Sequence, residues 1–570
     1  MSAEIREEKD WELDALASAI SSFFERKVKG VQGTALARLS RELAVKAGAG
    51  ISHLGPEQAD AIFADWASLP AVGSEDENLP LVRTEDGKLY FRRFFEYERQ
   101  VADAFAKRLI RPTVRATPDT IDFFKTSLAC QVDDQQALAV GVSIQRDLLL
   151  LTGGPGTGKT RTIVAMLAAH LQVNPDMRIA LAAPTGKAAF RMRESVLETM
   201  DSLNLPDSIC TSIVNSARSS TLHRLLGSRM GSVDFRRNKI NPLPYDLVVV
   251  DEASMVDLPL MAKLCDALRD ETKLILVGDA DQLAPVQGGA VFNGLVKPST
   301  HNVFSASDLT LLRDFSNSGS ESSGEDPLAG SLVSLSLVHR WKGSPSAAAL
   351  GGLCNAIRDG NAAAALELIR DDGESIRLVE KLDDPSIDSI IRRGFGRLAE
   401  VRSPSDALAY LGDFRILCAH NEGRYGVSNW NSRSDGLLPS DELRPLPVVV
   451  GVNDYTIGLF NGDDGVVLGN RAHFGAEDGT REVSRSRLPQ YKQGYASSIH
   501  RSQGSEFDEV MIILPPADAR LLTRELLYVA VSRAKRTVTL VGDGNALKAA
   551  VEQSEESRSG VLDMLNMPLP

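Results

Sequence analysis

The chain has 570 residues, 43% hydrophobic and 24% charged, the make-up of an ordinary globular protein too long for a single core. No apolar run approaches the ~20 residues that cross a bilayer, and Glu4, Arg6, Glu7, Glu8, Lys9 and Asp10 break up any signal-peptide stretch, so a cytoplasmic protein without a membrane partner is expected. A net charge of −13 excludes a surface that is basic throughout and leaves nucleic acid only a restricted basic channel.

Residues 1–125 show helical patterning and no motif chemistry, with one hairpin expected around Thr84-Glu85-Asp86-Gly87-Lys88; they are read as a mostly helical N-terminal domain. Beyond them, short apolar runs alternate with helical segments in two stretches, the pattern of α/β domains with parallel sheets. In the first, over 126–340, strands are expected at 148–151, 179–183, 247–250 and 274–277. Residues 316–327 are poor in apolar side chains and are expected to form a mobile loop. In the second, over 341–570, the candidate strands are 414–418, 510–514 and 538–541. Within it, 446–488 changes to short strands with turns at Asn461-Gly462, Asp464-Gly465 and Asp478-Gly479, so a small β-rich insertion is expected. The five cysteines are dispersed, with no CxxC pair, which argues against a disulfide framework and against structural zinc.

The motifs fall at the carboxyl ends of these runs, the edge where open α/β sheets bind ligands. Gly153-Gly154-Pro155-Gly156-Thr157-Gly158-Lys159-Thr160 has the GxxxxGK[ST] pattern of a P-loop, between a strand and a segment with Ile163, Leu167 and Leu171 at helical spacing. Its glycines let backbone N–H groups converge on phosphate oxygens at a helix N-terminus. Lys159 is expected on the β- and γ-phosphates of ATP and Thr160 on Mg²⁺, with Arg161 beside them in the nucleotide-binding set. The run 247–250 ends in Asp251-Glu252-Ala253-Ser254. Asp251 is the candidate Mg²⁺ ligand, and Glu252 the candidate base for the attacking water. An acidic pair after a strand is also a common turn, but downstream of a P-loop it reads as the hydrolytic pair. Gln282, after Gly278-Asp279-Ala280-Asp281, is a candidate γ-phosphate sensor; a buried structural Gln fits the same pattern.

The spacing of these segments, with those that follow, resembles superfamily 1 helicases and, within them, the RecD family. Ala183-Pro184-Thr185-Gly186-Lys187-Ala188-Ala189 looks like motif Ia and Thr221-Leu222-His223-Arg224-Leu225-Leu226-Gly227 like motif Ib. The resemblance implies that Pro184, Thr185, Lys187, His223 and Arg224 contact DNA, holding backbone phosphates rather than reading bases; His223 also suits a packing role. Tyr495-Ala496-Ser497-Ser498-Ile499-His500-Arg501-Ser502-Gln503-Gly504-Ser505-Glu506-Phe507-Asp508 looks like motif V, with Ser498 and Arg501 where the family commonly has Thr and Lys. It implies DNA contacts for Ser498 and His500 and nucleotide contacts for Gly504 and Glu506. Tyr528-Val529-Ala530-Val531-Ser532-Arg533-Ala534-Lys535 looks like motif VI, which makes Arg533 the implied arginine finger. Val338-His339-Arg340-Trp341 resembles motif IV and makes Arg340 a second phosphate arginine, although an ordinary surface arginine fits as well. The adenine-reading glutamine of the family corresponds to Gln136, or to Gln135 one residue out of register. More specifically RecD-like are Arg415-Ile416-Leu417-Cys418-Ala419, Asn453-Asp454, Gly458-Leu459-Phe460-Asn461-Gly462-Asp463 and Thr523-Arg524-Glu525-Leu526, with Leu89-Tyr90, Arg93 and Glu98 near the N-terminus.

The resemblance implies two RecA-like motor domains, an N-terminal domain that docks other subunits, and an SH3-like insertion in the second motor. The implied activity is ATP- and Mg²⁺-dependent 5′–3′ translocation on single-stranded DNA at double-strand ends, in recombinational repair. RecB-like and RecC-like subunits are the implied partners. No Asp…Glu-x-Lys nuclease constellation is found, since Glu380-Lys381 lacks the intervening residue, so nuclease activity is expected in another subunit. The alternative is a free-standing RecD-like helicase; those usually carry a longer N-terminal region with helix-hairpin-helix repeats, which 1–125 does not show. A decayed scaffold would lose Lys159, Asp251, Glu252 or Arg533 first, and all four are present. A P-loop ATPase with no nucleic-acid role has no need of motifs Ia, Ib and V.

Overall fold

Continuous apolar runs suit strands that are covered on both faces, and all seven runs singled out above fall on strands in a computed structural model of the chain. It describes residues 8–566 apart from 49, 217, 230, 286–287, 297–300, 323–325, 340–344, 442–443, 455, 477–478 and 555–558. Two units emerge. Met1–Ala280, Ala284–Val338 and Glu556–Pro570 form the first; Asp281–Leu283 and His339–Glu555 form the second. No described helix is long and apolar enough to cross a membrane.

The first unit opens with helices Glu8–Lys27 and Val31–Gly48, followed by β1 (His53–Leu54), β2 (Val72–Gly73), β3 (Leu81–Arg83) and β4 (Leu89–Phe91). These four short strands form one sheet in the order β1-β4-β3-β2, so strands as well as helices build this region. The expected hairpin is present: Arg83 lies opposite Leu89, and Gly87 takes the positive φ of +82° that the turn demands. Leu36, Leu39, Leu43, Trp66 and Leu81 make a local core. The next helix, Arg92–Leu109, buries Val101, Ala102 and Phe105 in the same core as Leu148 and Leu150, so the region is fused to the domain that follows.

That domain contains β5 (Leu148–Gly153), β6 (Ile179–Ala183), β7 (Arg218–Thr221), β8 (Leu247–Val250) and β9 (Lys273–Gly278). A short pair, β10 (Val303–Phe304) and β11 (Ser320–Glu321), comes next, and then β12 (Leu332–Leu335). Six of these form an all-parallel sheet ordered β12-β5-β9-β8-β6-β7. Alternate residues of β5 serve opposite faces, Leu149 and Leu151 in one core, Leu148 and Leu150 in the other. Of the segment 316–327, expected to be a mobile loop, residues 323–325 lie outside the described residues, and Ser316 to Glu321 are bonded into the fold. The Ser316 hydroxyl donates to the Asp134 carbonyl at 2.7 Å, and Ser320–Glu321 pairs in parallel with Val303–Phe304. Small polar residues there satisfy backbone groups, which composition alone reads as disorder. The C-terminal helix Val561–Leu565 returns to this unit. Just before it, the Gly560 N–H and Ser559 hydroxyl donate to the buried Glu98 carboxylate at 2.7 and 3.1 Å.

The second unit contains β13 (Ile376–Val379), β14 (Phe414–Cys418), β15 (Leu446–Val450), β16 (Asp464–Leu468), β17 (Arg471–Ala476) and β18 (Gly479–Ser484). It continues with β19 (Tyr491–Gln493), β20 (Ala496–Ser498), β21 (Phe507–Ile513) and β22 (Ala534–Val541). A parallel sheet runs β13-β22-β21-β14-β20, and an antiparallel one runs β18-β17-β16-β15-β19. The antiparallel sheet therefore reaches Gln493, beyond the 446–488 expected for the insertion. Asp464-Gly465 opens β16 rather than forming a turn. Gly465 is small because it faces Phe474, whose ring atoms a Cβ would approach to 2.4 Å. Asp478 lies outside the described residues. At the neck of the insertion, buried Arg415 pairs with Asp464 at 3.2 Å, donates to the Gly494 carbonyl at 2.7 Å, and stacks 4.9 Å from the Phe507 ring centroid.

Candidate nucleotide and DNA site

The chain leaves β5 through the P-loop and enters helix Lys159–Val173 at Gly158. Gly156 and Gly158 have φ of +77° and +84°, values that strain any residue with a Cβ. A Cβ on Gly153 would come within 2.6 Å of the Thr157 hydroxyl, which donates to the Gly154 carbonyl at 2.9 Å. Pro155 and Thr157 are buried, and Gly154 and Thr160 are half-buried. Lys159 Nζ donates to the Gly153 and Gly154 carbonyls at 2.6 and 3.1 Å, so the loop's own oxygens hold its charge. Arg161 turns elsewhere, its Nε donating to the Gln131 carbonyl at 2.6 Å, which makes it a brace behind the helix.

The two glutamines have different partners. Gln136 is buried under the P-loop: its Oε1 accepts from Asp133 N–H at 3.1 Å and its Nε2 donates to the Thr157 carbonyl at 3.3 Å. Gln135 is bonded to Ser336, just past β12, through the Ser336 N–H at 2.7 Å. Thr152, a lone hydroxyl ending a run of leucines, accepts from Ala280 N–H at 3.3 Å and ties the loops after β5 and β9 together. Sequence reasoning passes over it, although a hydroxyl closing an apolar strand is a readable signal.

The acidic pair follows β8, separated from β5 only by β9. Asp251 N–H donates to the Ala182 carbonyl at 2.8 Å, and Glu252 N–H to Asp251 Oδ1 at 2.9 Å. Glu252 adopts left-handed φ and ψ of 53° and 40°, a strained conformation for a residue with a Cβ. Its Oε2 is buried without a hydrogen-bond partner. Asp251 keeps some exposed surface, yet enough protein surrounds its carboxyl that burial, then the Glu252 charge, push its pKa up to about 7 against the pull of Lys159. Two adjoining acids, one with an orphan oxygen, and the Thr160 hydroxyl are hard oxygen donors, which suits Mg²⁺ on Asp251 and Thr160. Among the described residues no three or more His, Cys, Asp or Glu side chains gather to hold a metal. A hard cation here would thus take its remaining ligands from phosphate and water.

Of the residues implied in DNA contact, Thr185 caps helix Gly186–Ser202 by accepting from Ala188 N–H at 3.2 Å, with Pro184 and Lys187 half-buried beside it. His223 and Arg224 are exposed, and the His223 ring lies 5.7 Å from that of Phe235. In the second unit, Ser498 is buried at the end of β20 and His500 is half-buried in the turn that follows. Gly504 has φ +71°, and Glu506 is half-buried beyond it. Arg533 is buried at the end of helix Arg524–Ser532. It donates to the Val529 and Ser505 carbonyls at 3.1 and 3.3 Å and to the Ser532 hydroxyl at 3.1 Å, linking the motif VI helix to the motif V loop. Gln282 is buried and belongs with the second unit, as does Leu283, which joins its core. Arg340 lies outside the described residues.

Two family models match the chain, an AAA domain over residues 136–288 and a UvrD-like helicase C-terminal domain over 493–541. The RecBCD enzyme subunit RecD of Mycolicibacterium smegmatis is 38% identical over 523 residues, covering 88% of this chain and 86% of that protein. The ATP-dependent RecD2 DNA helicase of Deinococcus radiodurans is 28% identical over 537 residues, covering 92% of this chain and 65% of that protein. Among solved structures, one of two coordinating Pif1 helicases unwinding forked duplex DNA overlays with a TM-score of 0.39 and 18% identity, covering 72% of this chain and 92% of that one.

Proposed function

The chain belongs to the RecD family of ATP-dependent DNA helicases, and from that membership we propose that it is the 5′–3′ motor subunit of a RecBCD-type complex acting on double-strand DNA ends in the cytoplasm. One observation carries the hydrolytic reading: Lys159, Asp251 and the unpartnered Glu252 oxygen meet at the carboxyl edge of one parallel sheet.

The P-loop N–H groups receive the phosphates, and Lys159 exchanges the Gly153 and Gly154 carbonyls for β- and γ-phosphate oxygens. Mg²⁺, held by Asp251 and Thr160, would neutralise phosphate charge when bound. Glu252 Oε2 has no donor to satisfy it, so it orients the attacking water and takes its proton. Arg533 is the arginine finger, placing positive charge on the transferred phosphoryl group. Gln282, and Arg340 from motif IV, are proposed to sense the γ-phosphate. Gln136 fixes the P-loop, and either it or Gln135 reads adenine. Pro184, Thr185, Lys187, His223 and Arg224 of the first unit, and Ser498 and His500 of the second, are proposed to hold DNA backbone phosphates. Movement then follows from a difference in DNA affinity between nucleotide states. Residues 1–125 are proposed to dock RecB-like and RecC-like subunits, and the antiparallel sheet to be an SH3-like module.

The test is ATP-dependent unwinding of 5′-tailed and 3′-tailed duplexes by the chain and its Lys159→Ala variant. Unwinding from the 5′ tail alone, lost in the variant, is the expected result. Unwinding from the 3′ tail would overturn the polarity, and unchanged ATP hydrolysis in the variant would overturn the site. The match to RecD2 gives the second reading, a helicase that works alone; full processive unwinding by the isolated chain would favour it.

A further inference from the structure

The parallel sheet of the second unit contains a feature that the ATPase and DNA-binding roles leave unused. Strands β13 and β22 are neighbours, but the chain leaves them toward opposite faces. After β13, helix Pro385–Glu400 buries Ile387, Ile391 and Phe395 in the core that holds Ile416 and Met511. After β22, helix Gly544–Glu552 buries Leu547 and Ala550 in the core that holds Leu417 and Ile512. Consecutive strand residues point to opposite faces, so these cores lie on the two sides of the sheet. Where adjacent connections diverge in this way, a crevice opens outside the carboxyl ends of the strands. Here it has a volume of about 1130 Å³ and extends along β13, from Gly373 and Ile376 at the strand's start to Val379 and Glu380 at its end.

The crevice combines three properties. Ile369, Ile376, Leu378 and Ile390 give it an apolar floor. Arg370, Arg377, Arg393 and Lys548 outnumber Glu380 and Asp543 around that floor, in a chain whose net charge is −13. Among the described residues neither Arg370 nor Arg377 forms an ion pair, while Arg393 reaches Glu509 at 2.9 Å and Lys548 reaches Glu552 at 3.8 Å. Third, β13 ends the sheet order, so among the described residues its outer edge has no strand beside it. Open edges of this kind invite another chain.

These properties select the occupant. A phosphate ligand would seek the N–H groups of the two helix starts, but Asp384 and Asp543 already occupy them as caps. A nucleic-acid backbone uses the cations but gains nothing from the apolar floor. An extended peptide uses all three, with main-chain hydrogen bonds to β13, apolar side chains on the floor and acidic ones at the rim. We propose that the crevice beside β13 is a docking site for an extended segment of a partner subunit that carries acidic and apolar residues. The proposal rests on the reading of this chain as one subunit of a complex.

The test uses the chain assembled with its RecB-like and RecC-like subunits, with photoreactive p-benzoylphenylalanine in place of exposed Ser389, which lines the crevice. Irradiation should link the chain to a partner segment rich in Asp or Glu, identified by mass spectrometry. The double charge reversal Arg370→Glu with Arg377→Glu should cut that product about tenfold, as loss of complementary charge does, while ATP hydrolysis persists. A complex that forms normally but gives no protein crosslink, or a crosslink to DNA alone, overturns the docking site and leaves the motor assignment standing. Failure of the unaltered chain to join any complex removes the partner and overturns both.

Discussion

Replacing Glu252 by Gln should separate stability from catalysis in opposite directions. The carboxylate oxygen it removes is buried without a partner and lies next to Asp251, whose own pKa is raised by burial and by that same charge. The amide keeps a polar atom at that place, so the gain comes from relief of like-charge repulsion against Asp251, while the left-handed backbone at φ 53° is kept. In protein free of Mg²⁺ and nucleotide, we expect the variant to be more stable by about 1–2 kcal/mol at pH 8. The gain should shrink toward acid for a definite reason. Asp251 has a folded pKa above its unfolded one, so the folded state holds a proton that the unfolded chain has already released. Its contribution is intact at low pH and is lost as pH rises toward 7. Removing the neighbouring charge weakens that loss, so the variant's stability should be flatter between pH 5.5 and 8. Turnover should fall by about 10²–10⁴, the usual contribution of a positioned general base. Denaturant unfolding at the two pH values and DNA-stimulated ATP hydrolysis measure both halves. A variant no more stable than the parent at pH 8, or one that hydrolyses ATP within tenfold of it, would refute the reasoning.

His170 and Arg415 give two further tests. Burial first, and then the Lys273 charge, lower the His170 pKa to about 3, so the unfolded chain protonates before the folded one. The first unit should therefore lose about 1.4 kcal/mol on going from neutral pH to pH 5.5. His170→Gln should remove that slope in acid unfolding curves, and an unchanged slope would discard the assignment. Arg415→Met removes the ion pair to Asp464 and the donor to the Gly494 carbonyl at the neck of the insertion, at a cost of about 3–5 kcal/mol. Limited proteolysis should then cut first within 446–493, and cleavage no faster than in the parent would refute the pin.

The apolar runs 148–151, 179–183, 247–250 and 414–418 are legible because a parallel strand covered on both faces needs no polar alternation. The P-loop is legible because phosphate binding demands glycines and a lysine at fixed spacing, and Gly156 and Gly158 do adopt positive φ. Of the short N-terminal strands only the β3–β4 hairpin is legible, through its Asp86-Gly87 turn; β1 and β2 are not, since two residues carry no period. The left-handed turn at Glu252, the burial of Gln136 beneath Thr157, and the bonds of Arg533 to Ser505 and Val529 are equally silent in the sequence.

By itself, then, the sequence determined the chemistry and the class of fold: a P-loop, an acidic pair after a buried strand, and helicase-like motifs at the ends of apolar runs. Those signals are local, because each depends on residues a few positions apart. Only the tertiary structure decided which strands are neighbours, and so what each side chain meets. It joined Glu98 to Gly560 across almost the whole chain, placed Gln282 with the second unit, and set β13 beside β22 with diverging connections. Strand order in a parallel sheet follows from long-range packing, and no short window of sequence contains both partners of such a contact.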